Sequence, residues 1–228
     1  MRAALSIFLS VLVLLCAFVG SAGSQGEVVI RGVRSGSHLQ LSVERSRLVV
    51  EGQVAGHQAG CRTTRLGVSC PLAHAGAVIV ETGSGPDKVE VLDPLPVPLT
   101  AYLGAGSDKF IGNAEEDTCY PQGTPRNRCV GGPGRDICIS APVNTDCVGG
   151  AGRDYCQTSA GSDGCWGGPG SDVCRMGRGE DGCHGEGGAD KLYGGPGTDR
   201  LYGGTDFDRC DGAPGMGRSA ECEAGPRH

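Results

Sequence analysis

The sequence predicts an all-β protein in which a short β region leads into a long repeat, and three observations carry that prediction. Apolar residues alternate at period two between Glu27 and about Leu92, with glycine and serine clusters separating the runs. From about Tyr102 the chain repeats every nine residues. Glycine is in excess, at 42 of 228 residues, while aromatics make up only 4%, so an ordinary bulky core is out of reach. No stretch beyond the N-terminal segment has a helical period.

The elements follow in order. The start, MRAALSIFLSVLVLLCAFVGSAGSQG, has one early positive charge, an apolar run from Ala3 to Val19 and then small residues. This predicts a secretory signal peptide over 1–22, cut near Ala22, and a secreted or extracellular product. The run is short for a membrane span, so no stable membrane insertion is expected after cleavage. Setting Cys16 aside leaves 12 of the 13 cysteines, an even number that fits disulfides in an oxidising compartment. The net charge of -6 argues against nucleic acid as a partner and leaves cations as candidates. The N-terminal β region spans 23–100, with strand-like runs VVI (28–30), HLQLSV (38–43), RLVVEG (47–52), AVIVETG (77–83) and KVEVLD (88–93). A proline-rich connector, DPLPVPL (93–99), closes it.

The repeat occupies 101–212, followed by a cap or tail over 213–228. Its anchor is aspartate: Asp136, Asp154, Asp163, Asp172, Asp181, Asp190, Asp199 and Asp208 all lie nine or eighteen apart. Asn127 and Thr145 fill two slots of the same frame, and Asp117 and Asp108 continue it upstream after a one-residue slip. Two residues after each anchor stands Phe110, Cys119, one of the cysteines from Cys129 to Cys183, Leu192, Leu201 or Cys210. Leucine replacing cysteine in one phase marks an inward-pointing core slot, which cysteine fills as a small apolar residue.

The segments GGPGRDICI (131–139), GGAGRDYCQ (149–157), GGPGSDVCR (167–175) and GGPGTDRLY (194–202) fit G-G-x-G-x-D-x-U-x. This resembles the RTX, or haemolysin-type, calcium-binding nonapeptide repeat, over roughly half the chain. TGSGPDKVE (82–90) is a degenerate upstream copy. The resemblance implies a parallel β-roll, a β-solenoid in which six residues turn, three form a strand, and two nonapeptides make one coil. It also implies Ca2+ between turns of neighbouring coils. The implied ligands are Asp136, Asp154, Asp172, Asp190 and Asp208 on one edge. Asp163, Asp181, Asp199 and Asp108 join them, with the turn glycines Gly132, Gly134, Gly150, Gly152, Gly168, Gly170, Gly195 and Gly197. Aspartate supplies the hard oxygen calcium prefers, and glycine lets carbonyls turn toward an ion. Without a cation, stacked carboxylates about 4.8 Å apart repel. The turns SAPVNT (140–145), TSAGSD (158–163) and MGRGED (176–181) are poorer, which predicts a calcium-rich and a calcium-poor edge. The competing account is that the aspartates only form Asx turns.

The cysteines allow two pairings. In the stacked scheme, residues eighteen apart join neighbouring strands: Cys119–Cys138, Cys129–Cys147, Cys156–Cys174 and Cys165–Cys183. In the cross-core scheme, facing residues join: Cys119–Cys129, Cys138–Cys147, Cys156–Cys165 and Cys174–Cys183. Both leave Cys61–Cys70 and Cys210–Cys222 as local pairs and use all 12. Distance favours stacking, because strand spacing is about 4.8 Å and packed sheets usually lie about 10 Å apart. Free thiols and a zinc or iron–sulfur site remain as alternatives, although metal sites want closer pairs. Cysteine and an N-terminal signal both depart from the RTX pattern and weaken any transfer of toxin or protease function.

The expected function is calcium binding by a structural or adhesive extracellular module, and not catalysis. A solenoid that binds polysaccharide or ice is the alternative, and a small hydrolase within 27–100 a remoter one. Neither G-x-S-x-G nor H-E-x-x-H occurs. The five histidines are scattered, Trp166 points outward, and Tyr155, Tyr193 and Tyr202 form no regular row.

Overall fold

The computed structural model describes residues 26–33, 36–57, 60–212, 218–219 and 222. The signal peptide expected at 1–22 and most of the expected cap at 213–228 lie outside them. Every regular element among the described residues is a strand, and the strands form two sheets, of ten and twelve strands. Through the repeat, successive strands alternate between the sheets, and each pairs in parallel with the strand one coil away. Tyr155–Gln157 lies between Ile137–Ile139 and Val173–Arg175; Gly164–Pro169 lies between Asn144–Gly152 and Gly182–Gly187. Two nonapeptides per coil thus return the chain to the same sheet. The result is a β-solenoid of about seven turns.

The same sheets continue through the N-terminal β region. Lys88–Val91 pairs in parallel with Lys109–Ile111, and Gly26–Gly32 with Ala75–Glu81. The stack then ends in antiparallel strands, Arg47–Gly52 on His38–Glu44 and Gly67–Pro71 on Arg47–Gly52. Turning antiparallel here covers the open edge that a parallel stack would present to other chains.

The core changes character along the axis. Its N-terminal part is aliphatic, with Ile30, Leu39, Leu41, Leu48, Val50, Val78 and Val80 fully buried. In the repeat the core narrows to two columns. Phe110, Cys129, Cys147, Cys165, Cys183 and Leu201 line one sheet. Cys119, Cys138, Cys156, Cys174, Leu192 and Cys210 line the other.

The stacked disulfide scheme is wrong. Cys119 bonds Cys129 and Cys138 bonds Cys147, each across the core with Cα atoms 6.2 Å apart. Cys156, Cys165, Cys174 and Cys183 are buried thiols. Two physical reasons overturn the distance argument. In-register parallel strands point their Cβ atoms the same way, so side-by-side cysteines keep the strand spacing at Cβ, beyond the roughly 3.5–4.5 Å a disulfide needs. Cysteine is also small enough that the two sheets close well inside the usual separation. The local pairs Cys61–Cys70 and Cys210–Cys222 form as the sequence predicts.

Two non-glycine residues of the repeat turns, Glu186 and Asp206, hold a positive φ. Glu186 aligns with Gly168 on one side and Gly204 on the other, and it holds φ at 79° where they hold 105° and 107°. A side chain in this left-handed region costs about 1–2 kcal/mol. Glu186→Gly is therefore expected to raise the chemical-denaturation midpoint of the calcium-free protein, and an unchanged or lowered midpoint would contradict this strain.

Candidate metal centre

Each coil turns at an aspartate because its carboxylate replaces a missing backbone partner. Asp136 Oδ1 accepts the N–H of Asp117 at 2.8 Å, Asp154 that of Asp136 at 2.7 Å, Asp172 that of Asp154 at 2.7 Å, Asp190 that of Asp172 at 2.8 Å and Asp208 that of Asp190 at 2.9 Å. This is one continuous ladder up one edge. The opposite edge carries a second: Asp108 to Asp87, Asn127 to Asp108, Asp163 to Thr145, Asp181 to Asp163 and Asp199 to Asp181. All these side chains are buried.

The second carboxylate oxygen has a different fate. Oδ2 of Asp87, Asp108, Asp136, Asp154, Asp163, Asp172, Asp181, Asp190 and Asp199 is buried without a hydrogen-bond partner. An unpaired buried charge is costly, so this row of orphaned oxygens requires either protons or a cation. It also faces backbone oxygen. A Cβ placed on Gly149 would come within 3.0 Å of both Asp154 Oδ2 and the Gly167 carbonyl, and one on Gly167 within 3.0 Å of both Asp172 Oδ2 and the Gly185 carbonyl. Glycine keeps this space open, and a carboxylate oxygen and a backbone carbonyl oxygen meet at each of these positions.

Asn127 shows what the same place looks like when no cation is needed. Its Oδ1 accepts the Asp108 N–H, but its Nδ2 donates to the Gly123 carbonyl at 2.6 Å. An amide donor stands where the aspartates present a second acceptor. Thr145 has no carboxylate, and its hydroxyl donates to the Val143 carbonyl at 3.2 Å. Asp117 Oδ2 accepts the Asn113 N–H at 2.8 Å.

Burial is the main cause that lifts these carboxyls from the usual range. Asp136 and Asp172 are pushed up to about 7, with neighbouring ladder carboxylates adding to the effect. Asp108, Asp117, Asp181 and Asp190 rise to about 6. Burial also raises Asp154, Asp163 and Asp199. The donor set fits a hard divalent cation: acidic, oxygen-only and unpaired. Calcium takes six to eight oxygens at about 2.3–2.6 Å. The Oδ2 atoms and the turn carbonyls are the groups that would hold it, and bound calcium would supply the positive charge the ladder lacks.

The structure brings the sequence-predicted aspartates together in two ladders, with Asp136, Asp154, Asp172, Asp190 and Asp208 on one edge. The predicted turn glycines lie in the turns. Gly132, Gly150 and Gly168 adopt φ of 118°, 118° and 105°, and Gly134, Gly152 and Gly170 follow two residues on. Gly195 and Gly197 occupy the corresponding turn before Asp199 on the other edge. The edges differ less than the turn sequences suggest, because Asp163, Asp181 and Asp199 have the same orphaned Oδ2 as the richer edge. What interrupts the poorer ladder is Asn127 and Thr145.

Asp87 joins the second ladder, as the degenerate upstream copy TGSGPDKVE (82–90) suggests. One feature goes beyond the sequence expectations. Trp166, His184 and Tyr202 stack as a row on one sheet, with ring centroids 6.0 and 4.7 Å apart. Their spacing of eighteen is legible in the chain, but three different ring types hide it.

Comparison with protein families adds an independent finding. Residues 148–182 and 184–210 match the RTX calcium-binding nonapeptide repeat, in four copies. No curated protein and no solved structure matches the chain. The matched segment contains Asp154, Asp163, Asp172, Asp181, Asp190, Asp199 and Asp208, the stretch where the ladders run without interruption. This chain therefore carries, over residues 148–210, a run of RTX calcium-binding nonapeptide repeats.

Proposed function

We propose that this protein is a secreted, non-catalytic module whose bound calcium is structural, and that it serves as an extracellular structural or adhesive element. The observation that carries this reading is the row of buried, unpartnered Oδ2 atoms between coils. An ion there touches only the turns it joins, so binding it closes the coil stack, and metal binding becomes folding free energy. The N-terminal apolar run and the cross-core disulfides support export to an oxidising space. The row of Trp166, His184 and Tyr202 does not favour a polysaccharide platform, because the rings stack face to face and spend their faces on one another.

Calcium titration by calorimetry, with far-UV circular dichroism against a chelated sample, tests the proposal. Saturable uptake of several ions with a gain in β signal is expected, at affinities on the order of 10⁻⁴ to 10⁻³ M, as suits extracellular modules. No uptake at about 10 mM calcium, well above that range, would reduce the aspartates to turn formers.

A further inference from the structure

We infer that Cys156–Cys165 and Cys174–Cys183 are two further disulfide sites, which continue the cross-core series through the centre of the roll. The argument is one of register. Cys138 and Cys147 form a bridge with Cα atoms 6.2 Å apart. One coil on, Cys156 is the in-sheet partner of Cys138, and Cys165 that of Cys147. Another coil on, Cys174 partners Cys156 and Cys183 partners Cys165. Parallel in-register pairing carries the cross-core geometry from coil to coil, and each facing pair keeps the separation of nine found in Cys138–Cys147. The sulfurs are already gathered: the Sγ atoms of Cys156, Cys165 and Cys174 lie within 4.8 Å of one another.

The chemistry is thiol–disulfide exchange with a disulfide oxidant, either a small-molecule disulfide or an oxidising dithiol protein. For each site, a thiolate attacks the oxidant and releases one reduced thiol. The facing thiolate then attacks the mixed disulfide and releases the second. Two S–H bonds are lost, one S–S bond forms, and the oxidant takes up both electrons and both protons. All four cysteines are at most 5% exposed, so exchange belongs to the stage before the coils close. Stacking partners are ruled out as bridges by the parallel Cβ directions that exclude Cys119–Cys138.

The test refolds the reduced full-length chain in calcium with a mixture of oxidised and reduced glutathione. The product is then cleaved before aspartate without reduction. Asp154, Asp163, Asp172 and Asp181 each stand two residues before one of the four cysteines, so the cysteines fall on separate peptides. Linked peptides Cys156–Cys165 and Cys174–Cys183 are expected, and the intact mass should fall by twelve hydrogens from the reduced chain, four more than the four bridges Cys61–Cys70, Cys119–Cys129, Cys138–Cys147 and Cys210–Cys222 account for. Cys156→Ala should leave Cys165 as the one alkylatable thiol besides Cys16, while Cys174–Cys183 persists. Four alkylatable thiols besides Cys16, links eighteen apart, or a bound zinc or copper ion released by acid would each overturn the assignment.

Discussion

Stripping calcium at pH 8 is expected to open the strands Lys191–Tyr193 and Arg200–Thr205 while those from Asp117–Pro121 to Asn144–Gly152 stay closed. The two stretches are held by different means, although Cys210–Cys222 fastens the strand beyond Lys191–Tyr193. Around Cys119–Cys129 and Cys138–Cys147 the chain is cross-linked over separations of 10 and 9 residues, worth about 2.5 kcal/mol each in a loop-entropy account. Those same coils contain the three slots that need no cation, at Asp117, Asn127 and Thr145. The later coils reverse both properties. Leu192 and Leu201 face the core without a bridge, and Asp190 and Asp199 have unpartnered Oδ2 atoms. At pH 8 the raised carboxyls ionise, and about 4.8 Å separates like charges along each ladder. Hydrogen exchange read by peptide, with and without calcium, measures this. Uniform protection in both conditions, or loss spread evenly over 117–205, would contradict a division between covalent and ionic staples. Coils 155–183 should follow the redox state of their four cysteines.

How much of this is legible in the sequence depends on the kind of information each residue carries. The coil follows from phase alone, because an aspartate and an apolar slot recurring at nine fix turn and strand together. Leucine in the cysteine phase at 192 and 201 marks the core column by chemistry alone. The disulfide partners are not legible from Cα spacing, since bonding depends on Cβ direction and on how far a cysteine core lets two sheets approach. The edge asymmetry is only half legible. Turn sequence suggests that TSAGSD and MGRGED are weak, yet Asp163 and Asp181 sit as Asp154 and Asp172 do, because the ladder hydrogen bond and not the preceding glycine pair positions the carboxylate. The aromatic row needs register across coils, which a search for one repeated residue type cannot supply.

Replacing Asp172 with asparagine is expected to move stability in opposite directions with and without calcium. In the metal-free protein the amide introduced by D172N keeps the acceptor for the Asp154 N–H and turns its NH2 group toward a turn carbonyl, as Asn127 does toward Gly123. The wild-type carboxyl is pushed up to about 7 in the fold, against about 3.9 in an unfolded chain. A raised carboxyl binds more protons folded than unfolded, so its contribution is fully present below about pH 4 and is lost as pH rises through about 7. The metal-free wild type should thus weaken from pH 4 to 8, and D172N should weaken less, gaining most at pH 8 and little at pH 4. With calcium the sign reverses, because the variant has lost an anionic oxygen that the ion requires. Asp172→Ala separates ladder from charge: it leaves the buried Asp154 N–H unpaired, costing about 1–3 kcal/mol with or without calcium. Denaturation midpoints at pH 5 and 8, for metal-stripped and calcium-loaded protein, read all three chains. If D172N lowers the metal-free midpoint at pH 8 as D172A does, the orphaned oxygen is not the strained group, and the ladder does not need a cation to close.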